Sequence, residues 1–203
     1  DIDRMGKGWY GGVMPRTARA SEAGMIYHVL NHGNGRMRLF PKAGDFEAFE
    51  RVLAEGLARY PADLLTYCLM PNHFHLVLWP KRDGQLSRFM QWLSMTHVQR
   101  WHAHRESVGR GHVYQSRFRN FPIQQDEHFL RVCRYVERNP LRANLVERAE
   151  DWRWGSLALW RGEKKEGLEL DEWPVDRPGQ WLRTVNSAEN EKELAALRRS
   201  VVR

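Results

Sequence analysis

The chain has 203 residues, 42% of them hydrophobic, which suits one domain with its own core. Its net charge of +7 suits an acidic partner. No apolar run reaches the roughly 18 residues of a membrane-spanning helix, and the N-terminus has no apolar signal core, so we expect a cytoplasmic protein without membrane contact. Two cysteines, Cys68 and Cys133, lie in apolar stretches without CxxC spacing. This argues against a disulfide framework or a zinc ribbon and favours buried thiols.

Residues 1–20 have few apolar positions and are predicted to form an N-terminal arm, in which Met14 would also serve as a first residue. Residues 21–160 alternate between strand-like and helix-like hydrophobic periods, which predicts one folded domain. In chain order we expect a strand over Met25–Leu30, a helix over Asp45–Arg59, strands over Leu64–Met70 and His73–Trp79, a helix over Leu86–His104, a strand or extended arm over His112–Ile123, and a helix over Asp126–Arg138.

This β-α-β-β-α-β-α order predicts an α+β fold of the ferredoxin-like, split βαβ type with one added helix. We expect an antiparallel sheet with helices on one face, the other face being open to hold DNA. The strands over residues 64–70 and 73–79 are separated only by Pro71 and Asn72, which predicts a hairpin.

Residues 161–203 are predicted to be a C-terminal tail. Charged residues with Pro174, Pro178 and Gly179 predict a linker or loosely packed arm over 161–180, followed by a terminal helix over Asn186–Arg203 with Ser187 as its cap. Three tryptophans precede the tail, and we expect them to pack against the C-terminal segment, with stacking on unpaired bases as the alternative. They are Trp152, Trp154 and Trp160.

Positive charge is concentrated between residues 110 and 142, where seven arginines face three acidic residues. Arginine presents planar donors suited to phosphate, so nucleic acid is the leading partner, with a solvated basic face as the alternative. The arginines that we expect to contact DNA are Arg36, Arg38, Arg117, Arg119, Arg138 and Arg142.

His73 and His75 flank Phe74 within a predicted strand, so their imidazoles point to the same face. Paired neutral imidazoles are typical metal ligands, although two surface histidines would give the same pattern. His102 and His104 have the same spacing on a predicted helix, where residues two apart do not share a face, so we reject them as a metal pair.

Tyr135 and Asn139 are four residues apart and lie on one face of the last predicted helix. Taken alone, each has an ordinary structural explanation: a tyrosine at a packing edge, and an N-cap before Pro140. Together with the histidine pair they fit phosphodiester cleavage, which needs a nucleophile such as a phenol and a Lewis acid at the phosphate oxygens. Tyr114 is a rival nucleophile, but its arginine neighbours favour a DNA contact.

Four segments follow one another along the chain: YCLMPNHFHLVLWP, THVQRWH at the end of the long predicted helix, GHVYQSRFRNFPI and RYVERNPLRANLV. They resemble the REP-associated tyrosine transposases, which belong to the single-tyrosine HUH superfamily. MPRTARA and DWRWGSL are also similar to that family, so the resemblance runs from about Met14 to Trp160.

The resemblance implies that Tyr135 is the nucleophile and that His73, His75 and Asn139 hold a divalent ion, Mg²⁺ or Mn²⁺. Insertion-sequence relatives usually carry Gln at the position of Asn139. The implied substrate is a single-stranded DNA hairpin, the repetitive extragenic palindrome (REP), cut and rejoined through a 5′-phosphotyrosine without ATP. The protein would act on chromosomal DNA as a monomer, with a dimer as the alternative.

Two other functions fit parts of the sequence. A hairpin-binding protein could keep this fold without cutting DNA. A zinc-dependent hydrolase could use the His73–His75 pair, but it would need a further acidic or histidine ligand and a general base, and no HExxH-like helix is present.

Overall fold

A four-stranded antiparallel sheet forms the centre of the computed structural model, which describes residues 22–124 and 126–188. The strands are β1 (Ile26–His32), β2 (Ala62–Met70), β3 (His73–Pro80) and β4 (Arg119–Ile123), in the spatial order β2-β3-β1-β4. The helices are α1 (Ala43–Arg59), α2 (Gln85–His104), α3 (Glu127–Glu137), α4 (Asn139–Arg142), α5 (Ser156–Trp160) and α6 (Trp181–Asn186). This confirms the α+β fold and the predicted order of its first seven elements.

One face of the sheet packs against α1 and α2. Side chains that alternate along the strands, such as Val29 and Phe74, meet apolar residues of the two helices, such as Phe49 and Phe89, in one continuous core. Gly56 of α1 lies so close to Phe89 and Trp92 that a Cβ there would approach their rings within about 3.0–3.1 Å. The close packing of α1 against α2 therefore depends on a residue without a side chain.

The opposite face is also covered, so the expectation of an open face for DNA is wrong. Ile26, Leu30 and Val77 point to this side and pack against Phe129 and Val132 of α3 in a second core. These strand residues are apolar, and leaving them in water would cost roughly 1.5–3 kcal/mol each, which is why helix α3 and the chain after it cover them.

The predicted linker or loosely packed arm over 161–180 is packed onto the domain instead. Leu168 is buried in the first core, and Trp173 packs against the second with its Nε1 donating to Leu65 O. Trp181 of α6 is 2% exposed and lies in the second core. Large aromatic side chains bury enough surface to anchor a segment that has little regular secondary structure.

Several element boundaries differ from the predicted ones. Strand β4 covers only 119–123. Residues 112–118 contain bends and pair with the end of β1 and the residues just after it, through an isolated bridge between Gly33 and Tyr114 and a hydrogen bond from Gln115 N to His32 O. Helix α3 is capped by Asp126, whose side chain accepts a hydrogen bond from His128 N. Ser187 follows the end of α6, while the predicted arm over 1–20 and the terminal helix beyond residue 188 lie outside the described residues.

Both predicted buried thiols are buried and free, and Trp154 is buried while Trp152 is partly so, as the packing interpretation requires. Trp160 is 46% exposed, with the guanidinium of Arg177 over its ring. Among the described helices, none is long and apolar enough to cross a membrane.

Candidate active site around a histidine pair

The pairing of β1 with β3 brings four histidines to one side of the sheet. His32 lies opposite His73, and Leu30 lies opposite His75. Residues opposite each other in antiparallel strands point to the same face, and so do residues two apart on one strand. His28, His32, His73 and His75 therefore all face the layer that contains α3.

His73 and His75 are arranged as a pair. Their ring centroids are 4.9 Å apart and the rings are nearly perpendicular, at 87°. Nδ1 of His73 lies 2.7 Å from Asn72 Oδ1, and Nδ1 of His75 lies 2.9 Å from His28 Nε2. Each ring thus has its Nδ1 engaged, and His75 Nε2 is buried with no hydrogen-bond partner among the described residues.

Both imidazoles are held neutral by their surroundings. Burial lowers the pKa of His73 to about 3, helped by the nearby charges of His32 and Arg142. Burial likewise lowers the pKa of His75 well below its ordinary value, with further contributions from His73, His28, His32 and Arg142. A neutral imidazole nitrogen carries a lone pair and can ligate a metal, whereas an imidazolium cannot.

Helix α3 carries Tyr135 to these rings. Phe129, Val132 and Val136 anchor the helix to the sheet, and Tyr135 lies at the edge of this apolar stripe, 8% exposed. Its ring centroid is 5.8 Å from that of His75 and 6.2 Å from that of His28, both edge-on. The predicted nucleophile and the predicted metal pair therefore lie on the same side of the sheet, in contact.

Asn139 has a different set of partners from those predicted for it. It begins α4 directly after α3, and its Nδ2 donates to Tyr135 O at 3.0 Å. Its Oδ1 accepts a hydrogen bond from Arg142 Nη2 at 2.5 Å. Asn139 is thus next to Tyr135, but its oxygen is engaged by Arg142, and metal ligation by Asn139 stays a prediction.

The residues fit a divalent ion with two imidazole ligands and open positions. His75 Nε2 is buried without a hydrogen-bond partner in the part of the chain that the structure describes, and a mixed set of imidazole and oxygen ligands suits Mn²⁺ or Mg²⁺. Over the described residues, no group of three or more His, Cys, Asp or Glu side chains could hold a metal. The closed ligand set of a structural zinc site is therefore not found in that part of the chain.

Of the six predicted DNA-contacting arginines, four are exposed (Arg36, Arg38, Arg117 and Arg119) and two, Arg138 and Arg142, are partly buried and engaged by other residues. Burial is the main cause of the lowered pKa of the half-buried His32, and the charges of Arg119 and Arg36 lower it further. Both arginines therefore lie near the histidines. Arg138 donates to Val185 O at 2.6 Å, near the end of α6, and Arg142 contacts Asn139 and the Tyr135 ring.

Tyr114 lies away from the histidine pair, so the structure supports neither its predicted DNA contact there nor its role as a rival nucleophile. It is buried on the opposite side of the sheet against Phe74, and its hydroxyl lies 2.7 Å from His97 Nδ1. Tyr67 and Tyr27 are also buried, with Tyr67 donating to Glu50.

His28 and His32 were not among the site residues predicted from the sequence. Their spacing of four places them on one face of a strand, which is a detectable signal. Their significance, however, depends on β1 pairing with β3 in a register that no local pattern specifies.

The chain matches the family described as "Transposase IS200 like" over residues 21–139. A Haemophilus influenzae protein assigned as a REP-associated tyrosine transposase is 22% identical over 117 residues, which are 54% of this chain and 66% of that protein, just under two thirds of its length. A solved structure of a REP-associated tyrosine transposase bound to a REP hairpin superposes with a TM-score of 0.55 at 17% identity, covering 78% of this chain and 92% of the other. At such identity the structural likeness shows a common fold.

Proposed function

Because the chain belongs to the IS200-like transposase family, we propose that it cuts and rejoins single-stranded DNA next to a hairpin through a covalent bond to Tyr135. The observation that carries this proposal is the contact between the Tyr135 ring and the His75 ring on one side of the sheet. A tyrosine beside one of two paired, neutral imidazoles brings a nucleophile close to candidate metal ligands, as metal-assisted phosphoryl transfer needs.

In the proposed reaction the Tyr135 oxygen attacks the scissile phosphorus. A P–O bond to the tyrosine forms and the bond to the 3′ oxygen breaks, leaving a 5′-phosphotyrosine and a 3′ hydroxyl. The phenol gives up one proton and the leaving oxygen takes one up, so protons balance. The reverse attack by a 3′ hydroxyl rejoins the strand, and because one phosphoester replaces another, no ATP is consumed.

His73 and His75 would hold the divalent ion, Mg²⁺ or Mn²⁺, with Asn139 as a third ligand once its oxygen is released by Arg142. When bound, such an ion polarises the phosphate and neutralises developing charge. The two rings are kept apart at a fixed angle by their bonds to Asn72 and His28, which prepares the site before DNA arrives.

The proposed DNA partner is a REP-like hairpin, by analogy with the related protein that was solved with one. Arg36 and Arg119, near His32, would contact phosphates close to the cut, and the exposed Arg38 and Arg117 phosphates farther away. We assign Arg138 to holding α6, because its guanidinium already bonds to Val185. We propose action on chromosomal DNA by a monomer, since Tyr135 contacts histidines of its own chain.

A covalent trap tests this function. Labelled single-stranded hairpins with flanking sequence are incubated with Mn²⁺, and protein–DNA adducts are separated under denaturing conditions. We expect an adduct with wild type and none with Tyr135→Phe, which should bind the hairpin with nearly unchanged affinity. Tyr114→Phe is the matched control and should still form the adduct. Hairpin binding without any adduct would instead identify a non-catalytic hairpin-binding protein.

A further inference from the structure

His28 is a buried histidine that takes no part in the bond-making and bond-breaking steps of the proposed reaction. It lies on β1 with 0% exposure, and its ring stacks on that of His75 at a centroid distance of 5.0 Å and an angle of 17°. Its Nε2 is 2.9 Å from His75 Nδ1, which is hydrogen-bonding distance. Burying a polar ring costs free energy unless the ring is hydrogen-bonded, which makes the contact with His75 important.

One hydrogen must lie between these two nitrogens. Whether it is bonded to His75 Nδ1 or to His28 Nε2 determines whether His75 Nε2 can ligate a metal. If His75 Nδ1 carries it and donates to His28, the neutral His75 ring has a lone pair on Nε2. If His28 Nε2 carries it, the proton of His75 is on Nε2 and no lone pair is left there for a cation. Both His75 Nε2 and His28 Nδ1 are buried without a hydrogen-bond partner among the described residues, so each arrangement leaves one N–H unpaired. Only the first arrangement leaves a lone pair on His75 Nε2, which makes that atom able to bind a cation.

We propose that His28 is a positioning residue that accepts the Nδ1–H of His75 and thereby presents His75 Nε2 to a divalent ion. This inference rests on the proposed function, which places a divalent ion at the histidine pair. Metal-ligating histidines usually donate their second N–H to a carboxylate, a carbonyl oxygen or water. Here the acceptor is a neutral ring, so it orients His75 without adding negative charge. The positive charge of the ion is then not partly offset by the acceptor and remains available to the phosphate.

The position of His28 supports this role. β1 is the central neighbour of β3, so the strand pairing fixes the distance between the two rings. The other neighbours of His28 are the rings of Phe121 and Tyr135, each with its centroid 6.2 Å away. The His28 ring therefore lies beside both the ligand that it orients and the ring of Tyr135, and the Tyr135 ring also contacts His75 directly, with a centroid distance of 5.8 Å.

Two substitutions separate positioning from simple packing. His28→Phe fills the space but cannot accept a hydrogen bond, whereas His28→Gln keeps a carbonyl acceptor. We expect His28→Phe to weaken Mn²⁺ binding by roughly 10–100-fold, measured by calorimetry without DNA, because losing a residue hydrogen-bonded to a metal ligand typically has an effect of this size. His28→Gln should retain most of the affinity. Thermal unfolding of both variants checks that they are folded.

A second measurement does not depend on any variant folding. Imidazole ¹⁵N shifts and couplings of the metal-free wild type should show His75 protonated on Nδ1. Protonation on Nε2 would overturn the proposal, and so would equal Mn²⁺ affinity in wild type and a folded His28→Phe. A wild type that binds Mn²⁺ but forms no DNA adduct would instead refute the proposed function and leave the assignment of His28 intact.

Discussion

The guanidinium of Arg142 lies over the ring of Tyr135, with its Cζ 4.3 Å from the ring centroid. The same guanidinium donates to Asn139 Oδ1, and its charge lowers the pKa of His73 and His75 in addition to their burial. One cation thus contacts the proposed nucleophile, engages the predicted third ligand and acts on both imidazoles. In this structure Arg142 supplies positive charge beside the groups that would surround a bound ion.

Replacing Arg142 with methionine should therefore strengthen divalent binding. Arg142→Met removes a positive charge that repels the ion and releases Asn139 Oδ1, so we expect Mn²⁺ affinity in calorimetry to rise by roughly tenfold, or about 1.4 kcal/mol. Arg38→Met is the matched control, because it removes the same charge from an exposed position. Unchanged or weaker Mn²⁺ binding by Arg142→Met would show that Arg142 does not oppose the ion.

The C-terminal segment should stabilise the helix that carries the nucleophile. Trp181 Nε1 donates to Glu137 Oε2 at 2.6 Å, and the other oxygen of this buried carboxylate accepts from Thr66 and Ser156. Trp181→Ala should lower the free energy of unfolding by about 3–5 kcal/mol in urea denaturation, because it leaves a cavity and an unpartnered carboxylate oxygen. Trp160→Ala, at an exposed tryptophan, should cost less than about 1 kcal/mol. Equal losses would mean that α6 is not anchored as described.

His97 should make the protein sensitive to acid. Burial, with the charge of Arg105, lowers its folded-state pKa to about 3, against the opposing effect of Asp45. The unfolded state therefore binds more protons below about pH 6.5, and stability falls by up to about 1.4 kcal/mol per pH unit as the pH drops from 6.5 towards 3.

The test is urea denaturation between pH 7.5 and pH 5. His97→Gln should lose less stability than wild type over this range, by about 2 kcal/mol, because the titrating ring is gone. Tyr114→Phe removes the hydroxyl beside His97 but keeps the ring, so its slope should match that of wild type. Parallel slopes for wild type and His97→Gln would contradict this account.

Local features of the sequence predicted most elements correctly. Alternation placed His73 and His75 on one face of a strand, and the apolar stripe predicted a helix over Asp126–Arg138 with Tyr135 at its edge, which the structure has as α3 with Asp126 as its N-cap. These features depend on backbone periods of two and 3.6 residues and on capping chemistry within a few residues, which the sequence displays directly.

Non-local features could not be read in this way. The partnership of His28 with His75 depends on the register between β1 and β3, and the covering of the second sheet face depends on where Trp173 and Trp181 dock. The state of Asn139 depends on where the side chain of Arg142 lies. The charged, proline-containing segment over 161–180 resembled a linker because its few aromatic residues contribute most of its packing against the domain.

The central claim is that Tyr135 and the histidine pair act on a single phosphate, bridged by a divalent ion. Once the cleavage position is mapped, a sulfur atom in place of each non-bridging oxygen of that phosphate tests the claim directly. Sulfur binds Mg²⁺ poorly and softer ions better. We predict that one of the two sulfur isomers forms the Tyr135 adduct slowly in Mg²⁺ and recovers in Mn²⁺, while His75→Ala forms none in either. Equal adduct formation by both isomers in Mg²⁺, or a full adduct yield with His75→Ala, would contradict it.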